Sequence, residues 1–279
     1  MDKLLLSITW EVNPQVFLEF PYLRWYSLFW ALGIYISLQV MVLIFKKEKK
    51  DLRVLDRLAL AVILGLVLGA RLGHVLFYDP QYYLSHPIEI LPFRVEPHFE
   101  FTGFLGLASH GGVIGAIMAL FVFNRKSKTG FYWALDRLII AGSLLGAFIR
   151  VGNFFNSEII GTPTDMSWAV VFTRIDLIPR HPSQLYEAMS YLVIFFILYS
   201  LWRSNKFNQS GFLTGIGLTL IFGQRILIEF FKEDQVAFEG DMLLNMGQIL
   251  SIPIVIFGLF LMFSRLGNSR SVSNEPTQF

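Results

Sequence analysis

The residues of this chain best suited to chemistry begin at Arg150, where a long apolar run ends in the segment RVGNFFNSEIIG. This segment places Asn153, Asn156 and Glu158 before Gly161. If the apolar run is a membrane helix, its polar groups must pair or meet a polar ligand, so they are candidates for function. Arginine suits phosphate because its planar guanidinium donates two parallel hydrogen bonds. We therefore interpret the segment as a candidate anion-binding site.

The elements that carry this segment are predicted to be membrane spans. The chain is 54% hydrophobic and 16% charged, whereas a soluble protein is about a quarter charged. The apolar residues also form long runs and do not recur at amphipathic spacing. We predict an all-α polytopic membrane protein with seven transmembrane helices, at about 22–45, 55–77, 101–123, 131–155, 184–202, 211–231 and 242–264.

The basic residues predict how the spans are oriented. The loops after spans one, three, five and seven carry lysine and arginine, whereas the alternate connections carry most of the acidic loop residues. Because basic residues in short loops favour the cytoplasmic side, we predict an outer N-terminus and a cytoplasmic C-terminus. Topology accounts for the basic loops, so we expect no nucleic-acid partner. These basic residues are Lys46, Lys47, Lys49, Lys50, Arg125, Lys126, Lys128, Arg203, Lys206, Arg265 and Arg270.

The whole chain, 1–279, is predicted to form a single transmembrane catalytic domain. Two outer connections are long: an extracytoplasmic arm at 78–100 and a small head at 156–183. Long ordered connections are often functional. The chain has no cysteine, so disulfides, thiolate metal sites and a cysteine nucleophile of its own are excluded.

Depth along the predicted spans brings further unusual groups to the layer of Arg150. A helix rises about 1.5 Å per residue, so residues late in outward-running spans and early in inward-running spans lie near the outer surface. Six such groups from five spans share the outer half, and the inner half has no comparable cluster. The five besides Arg150 are Tyr26, Arg71, His110, Arg225 and Glu229.

Each group also has a structural explanation that stays open. Arg71 can extend to the surface, and Arg225 and Glu229 lie four residues apart and can form an internal ion pair. Tyr26 can belong to an interfacial aromatic belt. Asparagines can hold helices together. Taken together, however, three arginines with one clear carboxylate partner leave positive charge in an apolar layer, and an anionic lipid head group would compensate it.

His110 precedes Gly111 and Gly112, and this motif suggests proton transfer. Histidine is the natural proton acceptor at neutral pH, and neighbouring glycines admit a substrate close to the ring. The alternatives are a core histidine and glycines that only allow close helix packing. The five histidines match no metal-binding spacing, and no nucleophile elbow or dinucleotide fingerprint is present. We therefore expect neither a metal nor a cofactor.

These motifs together resemble the bacterial prolipoprotein diacylglyceryl transferases, and the matches extend over almost the whole chain. The segment from Arg150 to Gly161 resembles that family's signature, and the other motifs follow in the family's order. They are RWY from Arg24, GARLG from Gly69, HGG from His110, RHPSQLYE from Arg180, the stretch from Arg225 to Phe231, and MGQILS from Met246.

The resemblance implies a reaction. The diacylglyceryl group of phosphatidylglycerol passes to the lipobox cysteine of a prolipoprotein signal peptide, which yields a thioether and glycerol phosphate. It also implies a bacterial cytoplasmic (inner) membrane location, with the active site facing the outer leaflet or periplasm. Because the nucleophile belongs to the substrate, an enzyme without cysteine fits. The arginines fit a phosphate leaving group.

The resulting hypothesis assigns roles to the candidate residues. Arg150, with Asn153 and Gly161, holds the lipid phosphate, and Arg71 and Asn156 are further candidates for substrate binding. Arg225 stabilises the departing phosphate and Glu229 orients Arg225. His110 accepts the thiol proton, and Tyr26 and Glu158 support the pocket.

Three positions depart from the family pattern: Ile149 replaces a glycine, Lys232 replaces an arginine, and a tyrosine before Arg225 is missing. Two other classes of function remain as alternatives. A transporter or flippase for an anionic lipid would usually bury charges near the midplane between internal repeats, and no repeat is visible. A structural scaffold would not need unpaired arginines.

Overall fold

The computed structural model describes residues 7–17, 23–94, 98–101, 106–204, 209–233 and 242–272. The predicted start of the first span at 22, residues 95–97 of the predicted arm, residues 102–105 of the predicted third span and Lys206 lie outside the described residues. The helices are α1 (Trp25–Lys47), α2 (Leu52–Phe77), α3 (Pro80–Ser85), α4 (Ser109–Ser127), α5 (Phe131–Asn156), α6 (Ser183–Arg203), α7 (Phe212–Glu229) and α8 (Met246–Val272).

Six of these helices are long and apolar enough to cross a membrane: α1, α2, α5, α6, α7 and residues Met246–Leu266 of α8. Large apolar side chains on their outer faces, such as Leu68 on α2 and Phe260 on α8, are more than half exposed. An apolar surface of this kind is favourable in contact with lipid and unfavourable in contact with water. The chain is therefore a polytopic membrane protein.

The third predicted span begins in the wrong place. We expected a helix from 101, but Glu100 and Phe101 form strand β3 (Glu100–Phe101), which pairs antiparallel with β2 (Phe93–Arg94). The helix α4 begins only at Ser109. The 19 residues of α4 are less apolar than the six helices above because His110 lies at one end and a basic cluster at the other. Helix α4 is not one of those six, so the seventh membrane span stays a prediction.

The chain divides into two compact units, one formed by Val42–Ala134 and the other by the described residues of Met1–Met41 and Leu135–Phe279. In the first of these, α2 and α4 pack through glycines. A side chain at Gly73 would meet Gly111 Cα at 2.9 Å, and one at Gly65 would meet Ala119 Cβ at 2.5 Å. Close packing of backbones through small residues is typical of membrane helices.

The second unit contains strands, so the prediction of an all-α chain is wrong in this detail. Strand β1 (Ile8–Trp10) pairs parallel with β4 (Val170–Phe172), and β4 pairs antiparallel with β5 (Pro179–Arg180). These two later strands lie in the connection between α5 and α6, where we predicted a head. Phe154, at the end of α5, packs with Phe172 in a small apolar core. The sheet therefore fixes the segment that follows Arg150.

Helix α7 is held in place by the same unit. The carboxylate of Asp136 on α5 is 2% exposed and accepts from the backbone N–H groups of Gly211 and Thr214, both at 2.7 Å. These groups have no partner inside the helix, so Asp136 caps α7 from outside. Further along, Gly217 packs against Ile139 of α5 and Leu198 of α6. These contacts set the depth of α7 relative to α5 and α6.

Candidate active site

The candidate site is built at the end of α5, which closes in a hydrogen-bonded turn. The N–H of Ser157 donates to Phe154 O at 3.0 Å and the N–H of Glu158 donates to Asn153 O at 3.0 Å, while Ser157 has a φ of 56°. This pair of bonds around a left-handed residue is the Schellman arrangement. The turn brings the Glu158 carboxylate back beneath the helix end, where Asn153 and Asn156 donate to it at 3.1 and 3.0 Å.

Gly161 lies where three segments of backbone meet. Its N–H donates to His181 O at 3.1 Å, and it forms an isolated bridge with Lys232. A side chain there would meet Phe231 O at 2.6 Å and His181 Cβ at 2.7 Å. Only glycine fits this crossing, so Gly161 acts by joining the segment after α5 to those before α6 and after α7.

A chain of alternating charges connects α5, α6 and α7. Arg150 Nε lies 3.0 Å from Glu187 Oε2, and Lys232 Nζ lies 3.0 Å from Glu187 Oε1 and 2.9 Å from Glu229 Oε2. The Glu187 carboxylate is fully buried, and its two contacts are ion pairs by distance without hydrogen-bond angles. A carboxylate removed from water needs this compensation by two cations.

Arg225 does not pair with Glu229, so our prediction that Glu229 orients Arg225 is wrong. The carboxylate of Glu229 instead accepts from Lys232, and its other oxygen lies against Gly247 in the first turn of α8. Within the described part of the chain, the buried Nε of Arg225 has no hydrogen-bond partner and no carboxylate pairs with its guanidinium. Arg225 is therefore a cation on α7 without a described carboxylate partner.

Tyr191 lies on α6 between groups of α5 and α7. Its ring lies 3.0 Å from the position of a side chain at Gly146, one turn before Arg150 on α5. Its hydroxyl forms a hydrogen bond with Arg150 and lies within electrostatic range of Glu187 and Arg225. Two arginines from different helices thus act on one buried hydroxyl.

Tyr26 near the start of α1 joins the same group. Its ring packs on Gly152, with Cδ2 3.0 Å from where a side chain would begin. Its hydroxyl lies within electrostatic range of Glu158 and Arg150. The structure therefore brings together Tyr26, Arg150, Asn153, Asn156, Glu158, Gly161, Arg225 and Glu229 within the second unit.

Arg71 belongs to the other unit, and backbone carbonyl groups already accept hydrogen bonds from its guanidinium. Its guanidinium is buried and donates to Ile90 O at 2.8 Å, to Gly106 O at 3.2 Å and to Glu89 O. The guanidinium also lies 4.9 Å from the ring centre of Tyr83. Arg71 therefore fastens the arm to α2, and its predicted role in substrate binding has no support from this geometry.

His110 is exposed in the first turn of α4. The two glycines beside it face α2: Gly111 lies against Gly69, and a side chain at Gly112 would meet Leu66 O at 3.3 Å. The alternative of close helix packing is therefore the correct explanation for both glycines. They do not form an opening beside the imidazole.

Outside the spans, Arg180 holds together the connection between α5 and α6. Its guanidinium donates to Asp176 Oδ2 at 2.6 Å, to Gly161 O at 3.2 Å and to Glu233 Oε1 at 3.0 Å. Hydrogen bonds from Arg180 hold the pKa of the Asp176 carboxyl below its usual range. Arg180 thus supports Gly161 through the hydrogen bond to its carbonyl oxygen.

His181 lies in the same connection and is held neutral. Trp168 donates to the Tyr186 hydroxyl at 2.8 Å, and this hydroxyl lies 3.0 Å from His181 Nδ1. The Tyr186 oxygen accepts from the indole, so its hydrogen is available to the imidazole. Burial lowers the pKa of the His181 imidazole, in agreement with a neutral ring.

Sequence reasoning missed the roles of Glu187 and Lys232. Glu187 ended a recognised motif, and Lys232 was noted only as a departure from the family's arginine. The lysine nevertheless bridges two buried carboxylates. Buried glutamate in an apolar span was the available signal, because such a carboxylate must have a cationic partner.

Across the described residues, no group of three histidine, aspartate or glutamate side chains could hold a metal ion.

Comparison with known proteins identifies the family that this sequence resembles. The family described as prolipoprotein diacylglyceryl transferase matches residues 15–264. A Bacteroides fragilis protein is 46% identical over 277 residues, covering 98% of this chain and all of the relative. A Tolumonas auensis protein is 47% identical, covering 91% of this chain and 95% of the relative. Both are named phosphatidylglycerol–prolipoprotein diacylglyceryl transferase. These matches confirm the resemblance noted in the sequence.

Proposed function

The chain belongs to the prolipoprotein diacylglyceryl transferase family, and we propose that it transfers the diacylglyceryl group of phosphatidylglycerol to a prolipoprotein. The acceptor is the thiol of the lipobox cysteine in the signal peptide. The reaction forms a thioether and releases glycerol phosphate. It is an alkyl transfer, because the carbon that is attacked is the glycerol carbon bonded to the phosphate oxygen.

The observation that carries this proposal is the arrangement of Arg150 and Arg225 around Tyr191. Glu187 engages Arg150 through Nε, and no described carboxylate pairs with the terminal nitrogens. These nitrogens form the edge that binds two oxygens of one phosphate. Arg225 has no described carboxylate partner at all. The pair is therefore suited to an anion that reaches it from the lipid.

The proposed reaction balances without a cofactor. The thiolate sulfur attacks the diacylglyceryl carbon, the carbon–oxygen bond to phosphate breaks, and the bonding electrons remain on the phosphate oxygen. Arg150 holds the phosphate, and Arg225 stabilises the charge that grows on it. Donors fixed in place before reaction typically contribute about 3–4 kcal/mol each to such stabilisation.

The thiol proton needs an acceptor, since the thiolate is the nucleophile. His110 is assigned this role. Its imidazole is exposed, and among the described residues it has no hydrogen-bond partner that would occupy it. Asn153, Asn156, Glu158 and Gly161 act by keeping the turn after α5 in its closed form.

The topology is part of the proposal. Helix α4 crosses the membrane as the third of seven spans, with exposed apolar residues such as Ile114 and Met118 facing lipid. The basic residues after the odd-numbered spans support an outer N-terminus and a cytoplasmic C-terminus. The site then faces the outer leaflet of a bacterial inner membrane, where secreted prolipoproteins arrive.

A mass measurement tests this function. Purified protein is incubated with phosphatidylglycerol vesicles and a peptide that carries a lipobox cysteine. The expected product is a peptide heavier by one diacylglyceryl group, together with released glycerol phosphate. A matched peptide with serine in place of cysteine should remain unmodified. Lipid movement across the bilayer without any change in peptide mass would overturn the proposal in favour of a lipid transporter.

A further inference from the structure

The side-chain amide of Gln224 on α7 is buried without a partner. Both its nitrogen and its oxygen have almost no exposed surface, and neither has a hydrogen-bond partner among the described residues. An amide offers two donors and an acceptor oxygen with two lone pairs. Buried polar groups in folded proteins are nearly always hydrogen-bonded, so each exception needs an explanation.

A buried glutamine of the next helix, by contrast, has hydrogen-bond partners. On α8, the buried Gln248 donates to Ile226 O at 3.2 Å and accepts from the N–H of Asn245 at 3.1 Å. On α7 itself, the residue after Gln224 is Arg225, whose buried Nε also has no described partner. Two adjacent side chains therefore present unused polar atoms.

The register of three helices locates Gln224 beside the phosphate site. Gly217, two turns earlier on α7, packs against Ile139 of α5 and Leu198 of α6. Seven residues correspond to about 10.5 Å of helix and return to nearly the same face. Seven residues after Ile139 on α5 comes Gly146. Helix α6 runs in the opposite direction, so the matching residue is Tyr191, seven residues before Leu198. Gly146 and Tyr191 are in contact.

Gln224 thus lies at the level of Tyr191, whose hydroxyl interacts with Arg150 and Arg225. The two guanidinium groups suit the phosphate, which accepts hydrogen bonds only. A neutral amide that both donates and accepts suits a hydroxyl, which also does both. Phosphatidylglycerol carries two hydroxyls on the glycerol bonded to its phosphate.

We propose that Gln224 is a specificity-determining residue that binds the hydroxyls of the glycerol head group while the arginines bind its phosphate. This inference rests on the proposed function and names how the same site selects its lipid. A head group without hydroxyls leaves the Gln224 amide buried and unpaired. The enzyme discriminates against such a lipid because the unpaired amide persists in the transition state.

The test compares two lipids with identical acyl chains, phosphatidylglycerol and phosphatidylpropanol, which differ only in the two hydroxyls. Initial rates of thioether formation on a lipobox peptide give kcat/KM for each lipid. The wild-type protein should prefer phosphatidylglycerol. Gln224→Met keeps the length of the side chain but removes its hydrogen-bonding atoms. It should lower kcat/KM for phosphatidylglycerol about tenfold or more and change the value for phosphatidylpropanol less than about twofold.

Gln248→Met is the matched control, because it removes a buried amide that is already hydrogen-bonded. This variant should lower thermal stability without changing the ratio of kcat/KM for phosphatidylglycerol to kcat/KM for phosphatidylpropanol. If Gln224→Met does not fold, Gln224→Asn keeps the amide but withdraws it by one methylene, and the ratio should again fall. An equal loss for both lipids, or an unchanged ratio in a folded Gln224 variant, would overturn the inference. Failure of the wild-type protein to modify the peptide with either lipid would instead overturn the proposed function.

Discussion

The Glu187 carboxylate lies 3.0 Å from Arg150 Nε, and it is fully buried between α5 and a second cation, Lys232. The contact is made through Nε, so Glu187 does not occupy the terminal nitrogens, and the same guanidinium forms a hydrogen bond with the Tyr191 hydroxyl. Glu187 is therefore a positioning residue for Arg150. Its carboxylate determines which edge of the arginine faces the phosphate.

Glu187→Gln should weaken both folding and catalysis. It leaves Arg150 and Lys232 buried without their shared anion, and breaking a buried pair costs about 3–5 kcal/mol. Thermal unfolding and kcat should be measured on the folded fraction. We expect a lower melting temperature and a kcat reduced at least about tenfold, because Arg150 is no longer oriented. A folded variant with normal kcat would exclude the positioning role and leave a structural one.

Arg150→Lys should greatly reduce activity although it keeps the charge. Lysine is a point charge and cannot offer the planar pair of donors that a phosphate binds. We expect kcat/KM for phosphatidylglycerol to fall about a hundredfold. Arg174→Lys, at an exposed arginine in the connection after α5, is the control and should keep wild-type rates. Near-normal turnover of a folded Arg150→Lys protein would show that the phosphate is held elsewhere.

Arg71→Lys should act on the arm and not on the phosphate. Lysine cannot reproduce three hydrogen bonds to the separate carbonyls of Glu89, Ile90 and Gly106. Limited proteolysis should then cleave residues 78–94 faster than in the wild-type protein. The KM for phosphatidylglycerol should change less than the rate of cleavage. A variant with an intact arm and a large increase in KM would restore the original prediction of a substrate ligand.

His110→Gln should lower the rate most at neutral pH, where the cysteine thiol needs a base. A free thiol ionises near pH 8.5, so raising the pH from about 7 to about 9 supplies thiolate without a base. We expect the ratio of wild-type to variant rates to shrink over this range. The exposed His86 of the arm provides the control His86→Gln. A deficit that is equal at both pH values would exclude His110 as the thiol base.

Acid should weaken the connection that carries Arg180. The folded-state pKa of Asp176 is lowered from 3.8, so its contribution to stability is present above that value and is lost as the pH falls through the folded pKa. Asp176→Asn should lower the melting temperature at pH 7, and the difference from the wild-type protein should shrink towards about pH 3. The effect should be modest because the carboxylate is 26% exposed. A difference that stays constant with pH would contradict the charge-based explanation.

Most of the spans could be predicted because long apolar runs leave few alternatives in a chain of this composition. The strands could not be predicted, since β1, β4 and β5 contain only two or three residues each, too few for an alternating pattern. The start of α4 was placed too early because Leu107 and Ala108 continue the hydrophobic run but lie before the first residue of the helix, Ser109.

Most of the candidate residues come together in one unit of the structure, but the sequence did not predict their partners. Arg225 and Glu229 have the spacing of a helical ion pair, yet Glu229 pairs with Lys232, three residues later. The position of Lys232 depends on the backbone bridge to Gly161, a contact between distant parts of the chain. The spacing of Arg225 and Glu229 within one helix cannot show that Lys232 will take the place of Arg225 as the partner of Glu229.

The alternating charges also bear on how the protein enters the membrane. Arg150 and Glu187 lie on consecutive long helices, and Glu229 and Lys232 lie within one turn of each other. Each pair needs only its own stretch of chain, so it can form before the rest of the protein is synthesised. An isolated charge at the centre of a helix costs about 2.5–3.5 kcal/mol during insertion, and the contact between Arg150 and Glu187 lowers that cost once α5 and α6 pack together. Lys232 then joins the two pairs, so the site is completed only when the segment after α7 has been synthesised.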